Sequence, residues 1–164
     1  MDIKKKIFIR NLIESDWKYF KKWWRDSYLI SLTSGNFEVV SLEKLHNGFL
    51  KMLESKDTKN FMILKEDRVV IGHMSLEMKK DKAEFTIVIG NKKYLGKGYG
   101  TLATKKIISL AFKKYKLEKL FLKVRPENVR AIRAYEKSGF KRVGIRKYKN
   151  VNQPKLLVMM ICDD

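Results

Sequence analysis

Three alternate glycines, Gly96, Gly98 and Gly100, separate a run of strand character, Phe85-Thr-Ile-Val-Ile-Gly90, from an amphipathic helical stripe made by Ala103, Ile107, Leu110 and Ala111. The helix is expected to begin near Gly100. Amide groups at a helix start have no intrahelical partner and carry the positive end of the helix dipole, and glycine lets an anion come close to them. The stretch Tyr94-Leu-Gly-Lys-Gly-Tyr-Gly-Thr101 therefore predicts a cradle for a phosphate or pyrophosphate. A glycine turn that only caps a helix explains the glycines alone equally well, so the neighbouring residues decide.

Two familiar phosphate loops fail on spacing. A P-loop needs four residues between its glycines and then Lys followed by Ser or Thr, whereas Gly90 and Gly96 enclose five and Lys97 is followed by Gly98. A dinucleotide fingerprint needs glycine where Thr101 stands and opens the first βαβ unit, but this turn lies past the middle of the chain.

At 164 residues, with 45% apolar and 12% aromatic side chains, the chain has the length of one domain with a real core. Neither a run of 18 apolar residues nor an apolar leader follows Met1, which predicts a cytoplasmic protein without membrane association. Lone Cys162, two residues from the C-terminus, cannot form an internal disulfide. The net charge of +19 raises the question of a polyanionic partner. The lysines, however, are scattered in pairs (Lys21-Lys22, Lys79-Lys80, Lys92-Lys93, Lys105-Lys106, Lys113-Lys114) over every expected element, which favours a solvated basic surface over a nucleic-acid face. Such a surface would still attract a phosphorylated cofactor.

The apolar pattern gives an order of elements. A short strand at Ile7–Arg10 precedes a helix capped near Ser15 or Asp16 and carrying Trp17, Phe20 and Trp24, and a second helix starts at Ser41 with Leu42, Leu45, Phe49, Met52 and Leu53 on one face, interrupted by Asn47-Gly48. Phe61–Leu64, Val69–Met78 and Ala83–Ile89 read as an antiparallel meander. After the glycine turn and its helix come a strand at Leu120–Val124, a helix from Asn128 to Ser138, and strands at Phe140–Tyr148 and Leu156–Ile161. The order β-αα-βββ-α-β-α-ββ has no repeat or linker, so residues 1–164 are expected to form a single α+β domain with about seven strands and about four helices.

The segment from Asn128 to Phe140 joins a helix N-cap (Asn128), a small-residue face (Ala131, Ala134), a tyrosine (Tyr135) and a glycine stop (Gly139). Each piece has an ordinary structural explanation, and a helical tyrosine is more often core than catalyst.

Together, the glycine turn and this helix resemble the GNAT N-acetyltransferase superfamily over nearly the whole chain. Leu95-Gly-Lys-Gly-Tyr-Gly100 resembles that family's Gln/Arg-x-x-Gly-x-Gly loop, and Asn128 through Phe140 resembles its Asn-x-x-Ala-x-x-x-Tyr-x-x-x-Gly-Phe helix. Leu95 departs from the usual Gln or Arg; with Tyr94 before it, the segment is similar to the branch that acetylates ribosomal-protein N-termini and some small amines. The resemblance implies the acyl-CoA N-acyltransferase fold, a mixed sheet in which the strands at 83–89 and 120–124 splay apart to hold acetyl-CoA as cosubstrate. It places the cofactor against Ile87, Val88 and Ile89, against Leu95, Gly96, Lys97, Gly98, Tyr99, Gly100 and Thr101, and against Asn128, Ala131 and Tyr135. It also implies direct attack of an amine on the thioester, an oxyanion held by backbone near Ile87 and Val88, and Tyr135 as the acid that protonates the leaving thiolate. Members often pair through exposed strands or helices, which leaves the oligomeric state open between a monomer and a homodimer.

An amine such as lysine's is protonated at pH 7, and removing the proton costs about 4 to 5 kcal/mol. Glu84, beside the expected slot, is the first candidate for the base, acting through a water, and Glu77 the second; a solvated or paired strand glutamate is the ordinary alternative. The acceptor site is expected from the first two helices, the loop at Ser31–Val40 and the loop at Lys149–Pro154, with Trp23, Trp24, Asp26 and Glu38 as possible lining. His46 and His73 have no Cys or carboxylate at ligand spacing, which predicts no metal.

The reading that follows is an acetyl-CoA-dependent N-acetyltransferase for a peptide or protein N-terminus or a small amine. A polyamine or aminoglycoside acceptor would need an acidic pocket against the +19 background. The competing reading, a basic nucleic-acid or ribosome-binding module on the same fold, would show affinity falling steeply with salt.

Overall fold

The computed structural model describes residues 4–33, 40–148 and 155–164. Seven strands, β1 (Ile7–Asn11), β2 (Thr58–Lys65), β3 (Val70–Lys79), β4 (Lys82–Ile89), β5 (Lys119–Val124), β6 (Lys141–Arg146) and β7 (Leu156–Cys162), form one sheet in the order β1-β2-β3-β4-β5-β7-β6. Five α-helices among the described residues cover it: α1 (Trp17–Trp23), α2 (Ser27–Leu32), α3 (Leu42–Glu54), α4 (Tyr99–Ser109) and α5 (Val129–Lys137).

Every strand contact is antiparallel except the one between β4 and β5, which is parallel and lasts only from Lys82↔Lys119 to Glu84↔Phe121. Beyond Glu84 and Phe121 the two strands diverge, so the facing backbone edges of 85–89 and 122–124 have no ladder partner. This is the expected splay. On the other side of β4 the register to β3 is continuous and sets His73 opposite Val88 and Ser75 opposite Thr86.

The sheet buries an apolar layer on each face. Ile63, Met74, Leu76, Phe85, Leu120 and Leu122 pack against Ala103 and Ile107 of α4 and Ile132 of α5. On the opposite face, Met62, Leu64 and Val70 pack against Phe20 and Trp23 of α1, Leu29 of α2 and Phe49 of α3. Full burial of one such side chain is worth about 1.5–3 kcal/mol, so the two layers hold the helices to the sheet.

The helical count differs from the expected four because α2 is an additional short helix. Asp26 caps it by accepting from the amides of Tyr28 at 3.0 Å and Leu29 at 3.1 Å. Helix α1 ends with Trp24 as its C-cap; Phe20 and Trp23 are its buried residues, and the expected Trp17-Phe20-Trp24 stripe packs in the same layer with Trp17 and Trp24 partly buried. Helix α3 runs through Asn47-Gly48 without interruption, because Phe49, fully buried, anchors it to the sheet. Among the described residues no helix is long and apolar enough to cross a membrane.

Candidate active site

A cleft of about 1000 Å³ opens where β4 and β5 diverge, and the glycine turn, α5, the exposed half of β4 and helices α1 to α3 all line it. Its cofactor side begins at the glycine turn. Gly96 has φ +69° and Gly98 φ +87°, left-handed conformations that cost a residue with a Cβ roughly 1–2 kcal/mol. Gly98 is the N-cap of α4 and offers no side chain to its amides. The first intrahelical bond is Leu102 N–H to the Gly98 carbonyl at 3.1 Å, which leaves the amides of Tyr99, Gly100 and Thr101 available to an anion.

Leu95, Gly96, Gly98, Gly100 and Thr101 line the cleft; Lys97 and Tyr99 do not. The Tyr99 side chain is buried beside Tyr94 and donates to Glu66 at 3.2 Å, so only its backbone faces the cradle. The Lys97 carbonyl accepts from Lys5 on the outer side of the turn. Leu95 packs among the residues of the α1–α3 layer, an apolar use of the position where the family pattern has Gln or Arg.

Helix α5 forms the second wall. Asn128 accepts from the Ala131 amide at 3.3 Å and donates to the Leu32 carbonyl at 3.3 Å, and Arg125 donates to the Thr33 carbonyl, so the β5–α5 junction is tied to the end of α2. Ala131 and Ala134 keep this wall thin where it meets the cleft. Tyr135 lies between the phenyl rings of Phe85 at 6.3 Å and Phe140 at 6.0 Å. Its hydroxyl has no hydrogen-bond partner among the described residues, and burial pushes its pKa well above the usual tyrosine range. Tyr135 thus presents a protonated hydroxyl to the cleft it lines.

The sheet supplies the floor. Asn60, His73, Ser75 and Thr86 form a polar band, with Ser75 Oγ 3.0 Å from Thr86 Oγ1 and His73 Nε2 3.0 Å from Asn60 Oδ1. Ile87, Val88 and Ile89 line the cleft from the half of β4 that has lost its partner. Above the floor stand Phe20, Trp23 and Trp24. Trp23 reaches its place because residue 90 is glycine: a Cβ there would lie 2.1 Å from Trp23 Cε2.

The expected bases lie elsewhere. Glu84 sits at the last paired position of β4, outside the cleft lining, and its Oε2 is 3.1 Å from Lys123 Nζ and 3.6 Å from Lys79 Nζ. Glu77 is opposite it on β3, exposed and near the same Lys79. The two carboxylates are held by lysines because β4 and β5 are still paired there, one step before the sheet opens. Asp26 is also outside the lining; Lys92 at 2.7 Å and the Leu29 amide hold its carboxyl below the usual range. Trp23 and Trp24 do line the cleft, whereas Glu38 and the segments 34–39 and 149–154 lie outside the described residues.

Sequence reasoning missed several basic side chains. Arg130, Arg133 and Lys137 follow one another at i, i+3 and i+7 along α5 and line the cleft, a stripe that the spacing alone could have revealed. Lys44 and Lys123 line other parts of it, and among the described residues no carboxylate does. No group of three possible metal ligands occurs among the described residues. The open amides of α4 and the arginines of α5 suit phosphates, and the unpaired edge of β4 suits the amides of a pantetheine arm; the residues present therefore fit acetyl-CoA.

Known proteins share this fold. The fold matches a spermidine N-acetyltransferase from Vibrio cholerae, solved with CoA and spermine, with a TM-score of 0.83 at 22% identity over 95% of each chain. It also matches a GNAT-family acetyltransferase from Bacillus anthracis, with a TM-score of 0.82 at 24% identity over 99% of this chain and 98% of that one. In sequence, an N-acetyltransferase 9-like protein of Caenorhabditis briggsae is 29% identical over 76% of this chain and 69% of its own length. An aminoglycoside N(6')-acetyltransferase of Klebsiella pneumoniae is 40% identical over 35% of this chain, a match that spans 28% of that protein. Residues 6–141 match the acetyltransferase (GNAT) domain model, and the chain belongs to that family of acetyl-CoA-dependent N-acetyltransferases.

Proposed function

We propose that this enzyme acetylates a small amine that carries little positive charge beyond the reacting nitrogen. The observation that carries the reading is the lining of the cleft, where Lys44 and the basic stripe of α5 contribute, Lys123 is already paired with Glu84, and no carboxylate lines it among the described residues. A polycation would meet like charges there, whereas a monoamine with an apolar or aromatic body would meet Phe20, Trp24 and Leu29. The same surroundings help the chemistry. Neighbouring cations disfavour an ammonium and so lower the cost of presenting a neutral amine.

Acetyl-CoA supplies the activated acetyl thioester. The chain's own residues then divide the work. The α4 amides with Arg130 and Arg133 hold phosphate groups, and the β4 edge at Ile87–Ile89 orients the cofactor arm. Tyr135, kept protonated by burial, donates its proton to the departing sulfur as the C–S bond breaks, and the proton that the nitrogen loses as the amide forms restores the phenol through solvent. Tyr135 and the free β4 edge line the same cleft, which supports direct attack.

Acetyl-CoA-dependent thiol release tests the reading across benzylamine and other monoamines, spermidine, kanamycin and short peptides with free N-termini. Turnover favouring monoamines is the expected result. Turnover confined to spermidine or kanamycin would refute the charge argument, and turnover confined to peptides would assign the acceptor to a protein N-terminus.

A further inference from the structure

The floor of the cleft contains one imidazole that the reaction above does not use. His73 stands opposite Val88 on β3, and its side chain lies on the α1–α3 face of the sheet, beside the stretch of β4 that borders the cofactor side. Phe20 packs edge-on against it at 5.0 Å. Its state follows from a short chain of bonds. Asn60 Nδ2 donates to the Met52 carbonyl at 3.1 Å, which fixes the amide so that Oδ1 faces His73. An amide oxygen can only accept, so Nε2 of His73, 3.0 Å away, carries the hydrogen. Nδ1 is left as a lone-pair acceptor with no partner among the described residues, on a ring that lines the cleft.

We propose that Nδ1 of His73 accepts a hydrogen bond from the attacking amine and so turns the nitrogen lone pair toward the thioester carbonyl. The inference rests on the acetyl-transfer reading of the same cleft. Burial lowers the imidazole to about 4, so it is neutral at pH 7 and can accept rather than repel. Because the proton is shared and not taken up, the ring needs no charge of its own. Met52, on α3, and Asn60, on β2, act behind it as positioning groups.

The test compares His73→Phe, which keeps a ring against Phe20 but has no acceptor, with His73→Asn, whose amide oxygen can reach the position of Nδ1. With the best acceptor from the panel, His73→Phe is expected to lower kcat about tenfold, the worth of one hydrogen bond, while acetyl-CoA Kd measured by titration calorimetry stays within about twofold. His73→Asn is expected to recover most of the loss. Unchanged turnover in His73→Phe, or equal loss in both variants, would overturn the proposal. A second measurement does not depend on turnover: the imidazole nitrogen shifts of the wild-type protein at pH 7 are expected to show Nε2–H and a bare Nδ1. A hydrogen on Nδ1 would overturn the assignment, whereas an acetyl-CoA-bound enzyme that turns over no amine would count against the acetyl-transfer reading and leave the tautomer result to judge His73.

Discussion

The side chain of Asn128 caps α5 through the Ala131 amide and, with its other end, donates to the Leu32 carbonyl at 3.3 Å, so one residue both starts a helix and joins two walls of the cleft. These roles can be separated. Asn128→Asp keeps the capping oxygen and loses the donor; Asn128→Ala loses both. Thermal unfolding is expected to show Asn128→Ala destabilised by about 1 kcal/mol more than Asn128→Asp, the usual worth of an N-cap. Both variants are expected to raise acceptor KM, because the Leu32 end of α2 lines the cleft.

Tyr135→Phe removes a hydroxyl and leaves the ring contacts with Phe85 and Phe140. A general acid contributes about 10²–10⁴-fold, so kcat is expected to fall at least about a hundredfold with acetyl-CoA Kd little changed. Steady-state kinetics together with calorimetry read the two effects separately. Turnover within a few fold of wild type would remove Tyr135 from the proton path.

Gly98→Ala tests the cradle through the backbone alone. A Cβ at this residue would meet nothing within 4 Å, so any penalty comes from its φ of +87°. Holding alanine there costs about 1–2 kcal/mol, expected as a lower melting temperature or as weakened acetyl-CoA binding where the turn relaxes and withdraws the α4 amides. Gly144→Ala, which also adds a Cβ in open space but has no positive φ and lies outside the cleft lining, is the control and should leave acetyl-CoA binding unchanged.

Glu84→Gln separates the sequence-based expectation from the structure. A base in direct or water-mediated reach of the amine would lose about 10²-fold or more on this change. With Glu84 engaged by Lys123 and Lys79 at the paired end of β4, we expect kcat within a few fold of wild type. A loss of a hundredfold would return the proton-accepting role to Glu84.

His73 also gives stability a pH dependence. Its folded value, about 4, is below the ordinary 6.5 of an unfolded histidine, so between these values the unfolded chain binds more protons. Stability contributed by the neutral, buried ring is therefore fully present above about pH 6.5 and is lost as pH falls toward 4, by up to roughly 3 kcal/mol. Urea unfolding of wild type and His73→Phe between pH 7 and 5 checks this: the variant is expected to lose less stability on acidification.

The local elements were legible in the sequence because each carries its own signal. Alternation marked the meander, the i, i+4, i+7, i+8 stripe marked α4, and Asn128 and Gly139 bounded α5 near the ends that the structure shows. Gly96 and Gly98 announced the cradle because only a backbone with positive φ needs glycine twice in three residues. What the chain order could not reveal is where side chains from distant segments meet. Glu84 looked catalytic by its place on β4, yet pairing to β5 ends at that residue and its partner Lys123 lies 39 positions away. His73 looked isolated, and its Asn60 partner, 13 positions earlier, reaches it only through the register of β2 on β3. Helix and strand periods are local properties of consecutive residues, whereas the charge of the cleft, the tautomer of His73 and the end of the β4–β5 pairing depend on long-range register, which only the folded sheet decides.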